Sequence, residues 1–105
     1  MKLEKHRYIV FKVHSKKKIS KRDFIRRIWK SIDDLFGCKG AADTGLWVVC
    51  FEENEKKGII RCNLKSLKPV KAALIMITNM TRRVPMMIQI LGVSGTIKTA
   101  KEKFY

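Results

Sequence analysis

The sequence predicts an α+β domain: a ferredoxin-like sandwich with a four-stranded antiparallel sheet, two long helices on one face and a short C-terminal helix. Three observations carry this. The apolar residues switch between period 2 and period 3.6 in the order β-α-β-β-α-β-α, two split β-α-β halves joined by a hairpin. The first strand has one uniformly apolar face and one mixed face, as a central strand with helices on one side requires. The chain has 105 residues and is 46% hydrophobic, enough for one core and for one domain spanning residues 1–105.

The first strand, Arg7-Tyr8-Ile9-Val10-Phe11-Lys12-Val13, is rich in β-branched and aromatic residues and lacks Gly and Pro. Ile9, Phe11 and Val13 share one face; Tyr8, Val10 and Lys12 share the other. After the solvated loop Lys16-Lys17-Lys18, Ser20 is the expected N-cap of a helix, with Asp23 three residues on and Ile19 and Phe24 at the staple positions. Phe24, Ile25, Ile28, Trp29, Ile32, Leu35 and Phe36 form its apolar stripe, and Gly37 ends it as a left-handed residue. Arg22, Arg26 and Lys30 fall at i, i+4 and i+8, with Arg27 beside them and Lys21 at the start. The bland reading of this row is a solvated helix face, but like charges at this spacing cost about 0.2–0.5 kcal/mol per pair, so a row with no interleaved acid needs an anionic partner more than most do.

Residues 37–45 read as a Gly/Ala-rich loop. Residues 46–52 form a second strand, apolar on both faces, and a polar hairpin leads to the third strand, Gly58-Ile59-Ile60-Arg61-Cys62. A second helix begins at Ser66 or Lys68, because Pro69 is tolerated only in the first turn. Leu67, Val70, Leu74 and Ile77 are its core stripe, which leaves Ile75 outward and Met76 at the margin. Residues 84–91 form the fourth strand, after the turn Thr81-Arg82-Arg83. Gly92-Val93-Ser94-Gly95-Thr96 is a tight connector with Gly95 at positive φ, and residues 97–104 form the last helix. Right-handed crossovers place both long helices on one sheet face and make the first and third strands central, a layout shared with RNA-recognition domains.

Twenty-four Lys/Arg against nine Asp/Glu give a formal net charge of +15 and a pI near 10.1. Residues 1–30 hold twelve of the cations against only Glu4 and Asp23, so about ten of the fifteen net charges sit there. Such a surface attracts nucleic acid. An anionic membrane is a weaker reading, because the basic helix spends its aromatics on the core. No transmembrane run and no secretory signal is visible, so Cys38, Cys50 and Cys62 are expected as reduced thiols of a cytoplasmic protein. His6 and His14 lack ligand spacing, so no metal site is expected. No H-E-x-x-H, Walker loop or G-x-S-x-G is present, and Glu52/Glu53 and Asp33/Asp34 are adjacent pairs that diverge. No catalytic residue is therefore expected in this chain.

Tyr8 could stack a base on the first strand, but the third strand offers only Ile59 and Arg61 and no aromatic, so the sheet is not expected to stack bases as RNA-recognition domains do. Val10, Ile59, Met87 and Leu91 make the open face apolar. Either the last helix covers it through Ile97, Ala100 and Phe104, or a protein partner does. Ile59, Ile75, Met76 and Met87 are the partner-binding candidates. The RNA-binding candidates are Lys16, Lys17, Lys18, Lys21, Arg22, Arg26, Arg27 and Lys30, plus a phosphate grip at Ser94, Gly95, Thr96 and Lys98. That grip needs free N–H groups at a helix start.

The first strand, the block Gly58-Ile59-Ile60-Arg61-Cys62 and the block Leu91-Gly92-Val93-Ser94-Gly95-Thr96-Ile97-Lys98 resemble the three signature blocks of the ribonuclease P protein component 2 family. They come in the family's order and span nearly the whole chain. The resemblance implies a non-catalytic, RRM-like protein subunit of ribonuclease P. Such a subunit supports the catalytic RNA that removes 5′ leaders from precursor tRNA. It also implies the partners: ribonuclease P RNA, a larger TIM-barrel-like protein subunit in a hetero-oligomer with two copies, and precursor tRNA indirectly. No cofactor is expected in the chain itself, the divalent metal belonging with the RNA. The alternative from composition alone is a stand-alone basic RNA-binding module.

Overall fold

The computed structural model describes residues 5–15, 18–77 and 86–105, apart from the side chains at positions 38, 41, 42 and 86. The expected roles of Lys16 and Lys17 and of the turn Thr81-Arg82-Arg83 lie outside the described residues. The elements are β1 (His6–Ser15), α1 (Lys21–Asp43), β2 (Trp47–Glu52), β3 (Lys57–Asn63), a 3-10 turn (Leu64–Ser66), α2 (Leu67–Met76), β4 (Met86–Ser94) and α3 (Ile97–Phe104). They build one antiparallel sheet in the order β2-β3-β1-β4. The α+β, ferredoxin-like arrangement and the central first and third strands are as the sequence predicts.

At the start of α1 the Asp23 N–H donates to the Ser20 hydroxyl oxygen at 3.1 Å, and the Lys21 N–H donates to Glu53 Oε1 at 2.7 Å. That carboxylate, from the β2–β3 hairpin, stands where the helix dipole favours an anion. Gly37 breaks the helix as expected, with φ 74° and ψ 170°. What differs is the sequel. The chain resumes helix through Asp43 where a loop was expected, and Ala41 and Ala42 carry the helix propensity that permits it. The 3-10 turn before α2 puts Pro69 in its first turn. The buried Ser31 hydroxyl donates to the Ala73 carbonyl at 2.9 Å and ties the two helices together.

Both faces of the sheet are packed. Under α1 and α2 lie Ile9, Phe11, Val13, Phe24, Ile28, Ile32, Ile60, Val70 and Leu74, all at most 1% exposed. Phe24 stacks against both Phe11 and Phe51, with centroids 4.9 and 4.8 Å away. Gly58 pairs across the sheet with both Phe11 and Phe51. A Cβ there would stand 2.6 Å from Phe11 Cζ and 2.6 Å from the Cys50 carbonyl oxygen. The backbone oxygen cannot move aside, so Gly58→Ala is expected to destabilise the fold by about 1–3 kcal/mol. A urea midpoint equal to the parent's would show that the stack yields.

On the opposite face Val10, Ile59 and Ala100 are fully buried, with Leu91, Phe104 and Tyr105 against them. The last helix, not a partner, covers this face. Ile59 is thereby corrected: at 0% exposure it is a core residue, not a contact surface. Ile97 is 37% exposed, so Ala100 and Phe104 make the cover without it. The fourth strand also runs further than predicted. Gly92, Val93 and Ser94 pair with Val10, Ile9 and Tyr8 of β1 instead of forming a connector. Gly92 is glycine for close approach: a Cβ there would stand 2.4 Å from Phe104 Cε1 and Cζ.

Candidate nucleic-acid interface

Because Phe24, Ile28 and Ile32 point α1 at the sheet, the opposite side of the helix faces water. Arg22, Arg26 and Lys30 are exposed there, with Lys18 and Lys21 exposed at its N-terminal end. Arg27 is half-buried and has an internal partner, so it is the least available member of the row.

The turn after β4 differs from its expected form. Gly95 does not have positive φ, and the space beside it is open, with Arg7 Nη1 3.7 Å from where a Cβ would stand. Glycine is therefore not demanded there by backbone strain. Thr96 is the N-cap of α3: its hydroxyl oxygen accepts from the Thr99 N–H at 3.1 Å. The Thr96 N–H donates to Ser94 Oγ at 3.3 Å, and Ser94 is 8% exposed. These bonds use two of the N–H groups that a phosphate would need, and they make Ser94 and Thr96 structural. Lys98 is exposed in the first turn of α3. A cation there opposes the helix dipole, so Lys98→Ala is expected to leave the melting temperature unchanged or slightly raised while weakening RNA binding. Parental affinity across a salt titration would make Lys98 a bystander.

The four partner-binding candidates do not come together. Ile75 is 60% and Met76 43% exposed on the outer side of α2, and Met87 is 54% exposed on β4, whereas Ile59 is inside. Met87 pairs with His14 near the far end of β1.

Burial pushes the Cys62 thiol up to about 11, so it stays protonated at neutral pH and is a poor nucleophile. The Tyr105 phenol is also pushed up, first by burial and then by Cys50 and Glu52 beside it. Among the described residues no three His, Cys, Asp or Glu side chains converge as metal ligands. Among them, too, no helix is long and apolar enough to cross a membrane.

One surface was not legible beforehand. Trp47 is 62% exposed at the start of β2 and pairs with Arg61 of β3, which pairs in turn with Tyr8 of β1. The second strand reads as apolar on both faces because α3 covers Val49 and Cys50 a few residues on. That cover hides the one aromatic left in the open. Arg7 stands beside the turn at Gly95, a neighbour that strand alternation alone does not predict.

A family model described as the Rpp14/Pop5 family matches residues 7–105. Ribonuclease P protein component 2 of Pyrococcus horikoshii is 36% identical over 101 residues, covering 96% of this chain and 83% of that protein. Its Methanococcus aeolicus counterpart is 37% identical over 101 residues, covering 96% and 73%. Among solved structures, a chain of the cryo-EM structure of yeast ribonuclease MRP superposes with a TM-score of 0.68 over 91% of this chain and 78% of that one. At 14% identity that likeness speaks for the fold alone.

Proposed function

This chain belongs to the Rpp14/Pop5 family, and from that premise we propose that it is a protein component of ribonuclease P, steadying the catalytic RNA that removes 5′ leaders from precursor tRNA. The observation that carries the reading is similarity to named ribonuclease P components along nearly the whole chain. The exposed row Arg22, Arg26 and Lys30, extended by Lys18 and Lys21, supports it by offering cations at the spacing of one helix face. Lys16 and Lys17 continue that row in sequence. Each cation that meets a phosphate releases counterions, a gain that needs no base sequence.

In this reading the chain does no chemistry. Cleavage belongs to the RNA and its divalent metal ions, and the scattered carboxylates of this chain agree with that division. Lys98 adds a further phosphate contact at the turn formed by Ser94, Gly95 and Thr96. Ile75 and Met76 contact a larger, TIM-barrel-like protein subunit, in a hetero-oligomer with two copies, and precursor tRNA is met only through the particle. The site of action is the cytoplasm.

The direct test mixes the purified chain with ribonuclease P RNA over a salt series. The logarithm of the association constant should fall steeply with the logarithm of salt, by about 0.7–0.9 for each phosphate neutralised. The chain alone should leave precursor tRNA uncut. A slope near zero, or metal-dependent cleavage by the pure protein that is lost on replacing one carboxylate, would overturn the reading.

A further inference from the structure

Alternation along the strands sends Tyr8, Arg61 and Trp47 to the sheet face away from α1 and α2. Their neighbours Ile9, Ile60 and Val48 point into the helix-side core. The cross-strand register sets the three side by side in one row, Trp47 on β2, Arg61 on β3 and Tyr8 on β1. Neighbouring strands lie about 4.8 Å apart, so the two aromatics stand about 10 Å apart with the guanidinium stem between them. The adjacent row, Val10 and Ile59, is the one that α3 covers through Ala100. Tyr8 packs at the edge of that cluster, so the Trp47–Arg61–Tyr8 row borders the ground that α3 covers.

The three members of the row differ in how far they are open. Trp47 is 62% exposed, a large cost for an indole with no internal purpose. Tyr8 is half-buried against the second core, which fixes its ring position. Arg61 is half-buried, and its Nε is shielded from solvent with no hydrogen-bond acceptor among the described residues. Two rigid π-faces flanking a cation suit a flat, electron-rich group that brings acceptors of its own. In a chain of net charge +15, the flat group most readily drawn in is one carried on a polyanion.

We infer that the Trp47–Arg61–Tyr8 row binds an unpaired nucleobase of single-stranded RNA. The base lies flat against Trp47 or Tyr8, and the Arg61 guanidinium stacks on it or donates to its edge. A base in a duplex cannot lie there, because both its faces are already stacked, so the row selects a loop, bulge or strand end. This site is separate from the cations of α1, which meet phosphates only. It rests on the RNA-binding reading above, and the test keeps the two apart.

The test measures binding of the full chain to labelled single-stranded oligoadenylate RNA, and to an abasic sugar-phosphate chain of equal length and charge. The oligoadenylate should bind more tightly. Trp47→Ala should weaken oligoadenylate binding by between about fivefold and about a hundredfold, the worth of one base–aromatic stack, and leave the abasic chain untouched. Its salt slope should not change, since no phosphate contact is lost. Trp47→Phe, which keeps a stacking face, should recover most of the loss. Equal affinity for the two oligomers, with Trp47→Ala silent, would overturn the base site while leaving charge-driven RNA binding intact, and would free the row for a protein partner. Absence of salt-dependent binding to either oligomer would overturn both readings. Trp47 is mostly exposed, so unchanged melting of the alanine variant confirms that the fold is not what was lost.

Discussion

Replacing Ile59 with Asp is expected to leave the chain unfolded. Ile59 sits at 0% exposure between β1, β2 and α3, with Val10 and Ala100 against it in a mainly apolar cluster. A carboxyl group in such a site either stays protonated against its ordinary pKa or opens the fold to water. The lost apolar burial adds to that. A cost of about 4–5 kcal/mol or more is of the size of the whole stability of an ordinary domain, about 5–15 kcal/mol. Circular dichroism with a urea titration reads the outcome. Ile75→Asp is the control: that side chain is 60% exposed, and its change should fall within about 0.5 kcal/mol of the parent. A folded Ile59→Asp chain with the parental midpoint would mean that α3 lifts freely from the sheet.

The second large effect is on binding. The triple variant Arg22→Gln, Arg26→Gln, Lys30→Gln should lose affinity for ribonuclease P RNA by on the order of a hundredfold at about 0.1 M salt. The same measurement should show a salt slope less negative by about 0.7–0.9 for each cation that meets a phosphate. The fold should survive, because all three residues are exposed and removing like charges at i, i+4 relieves about 0.2–0.5 kcal/mol per pair. Filter binding over a salt series, beside thermal melting, separates the two effects. An unchanged slope would move the RNA contact away from α1.

Element order, strand pairing and the helix-side core were readable in the sequence because they rest on periodicity. Ile9, Phe11 and Val13 at period 2 and Phe24, Ile28 and Ile32 at helical spacing point inward whatever lies outside the domain. The second face of the sheet was not readable in the same way. Val10, Ile59 and Leu91 look alike to a sequence whether α3 or another protein covers them, and only the placement of Ala100 and Phe104 over them decides it. The same ambiguity misplaced the end of β4. Gly92 in Leu91-Gly92-Val93-Ser94 reads as a turn, but it is the flat spot on which the Phe104 ring rests. The α1 cations were legible from spacing alone. The Trp47–Arg61–Tyr8 row was not, because it depends on the register of three strands that are distant in sequence.

The most direct measurement of the account is cleavage of precursor tRNA by a particle reconstituted from ribonuclease P RNA and its protein partners, at moderate salt and magnesium, with this chain present, omitted or replaced by the Arg22/Arg26/Lys30 triple variant. The account predicts that omission slows cleavage markedly. It also predicts that the triple variant restores the full rate only at much higher protein concentration, because it carries a binding defect and no chemical one. Cleavage that proceeds equally with and without the chain would contradict its place in the enzyme.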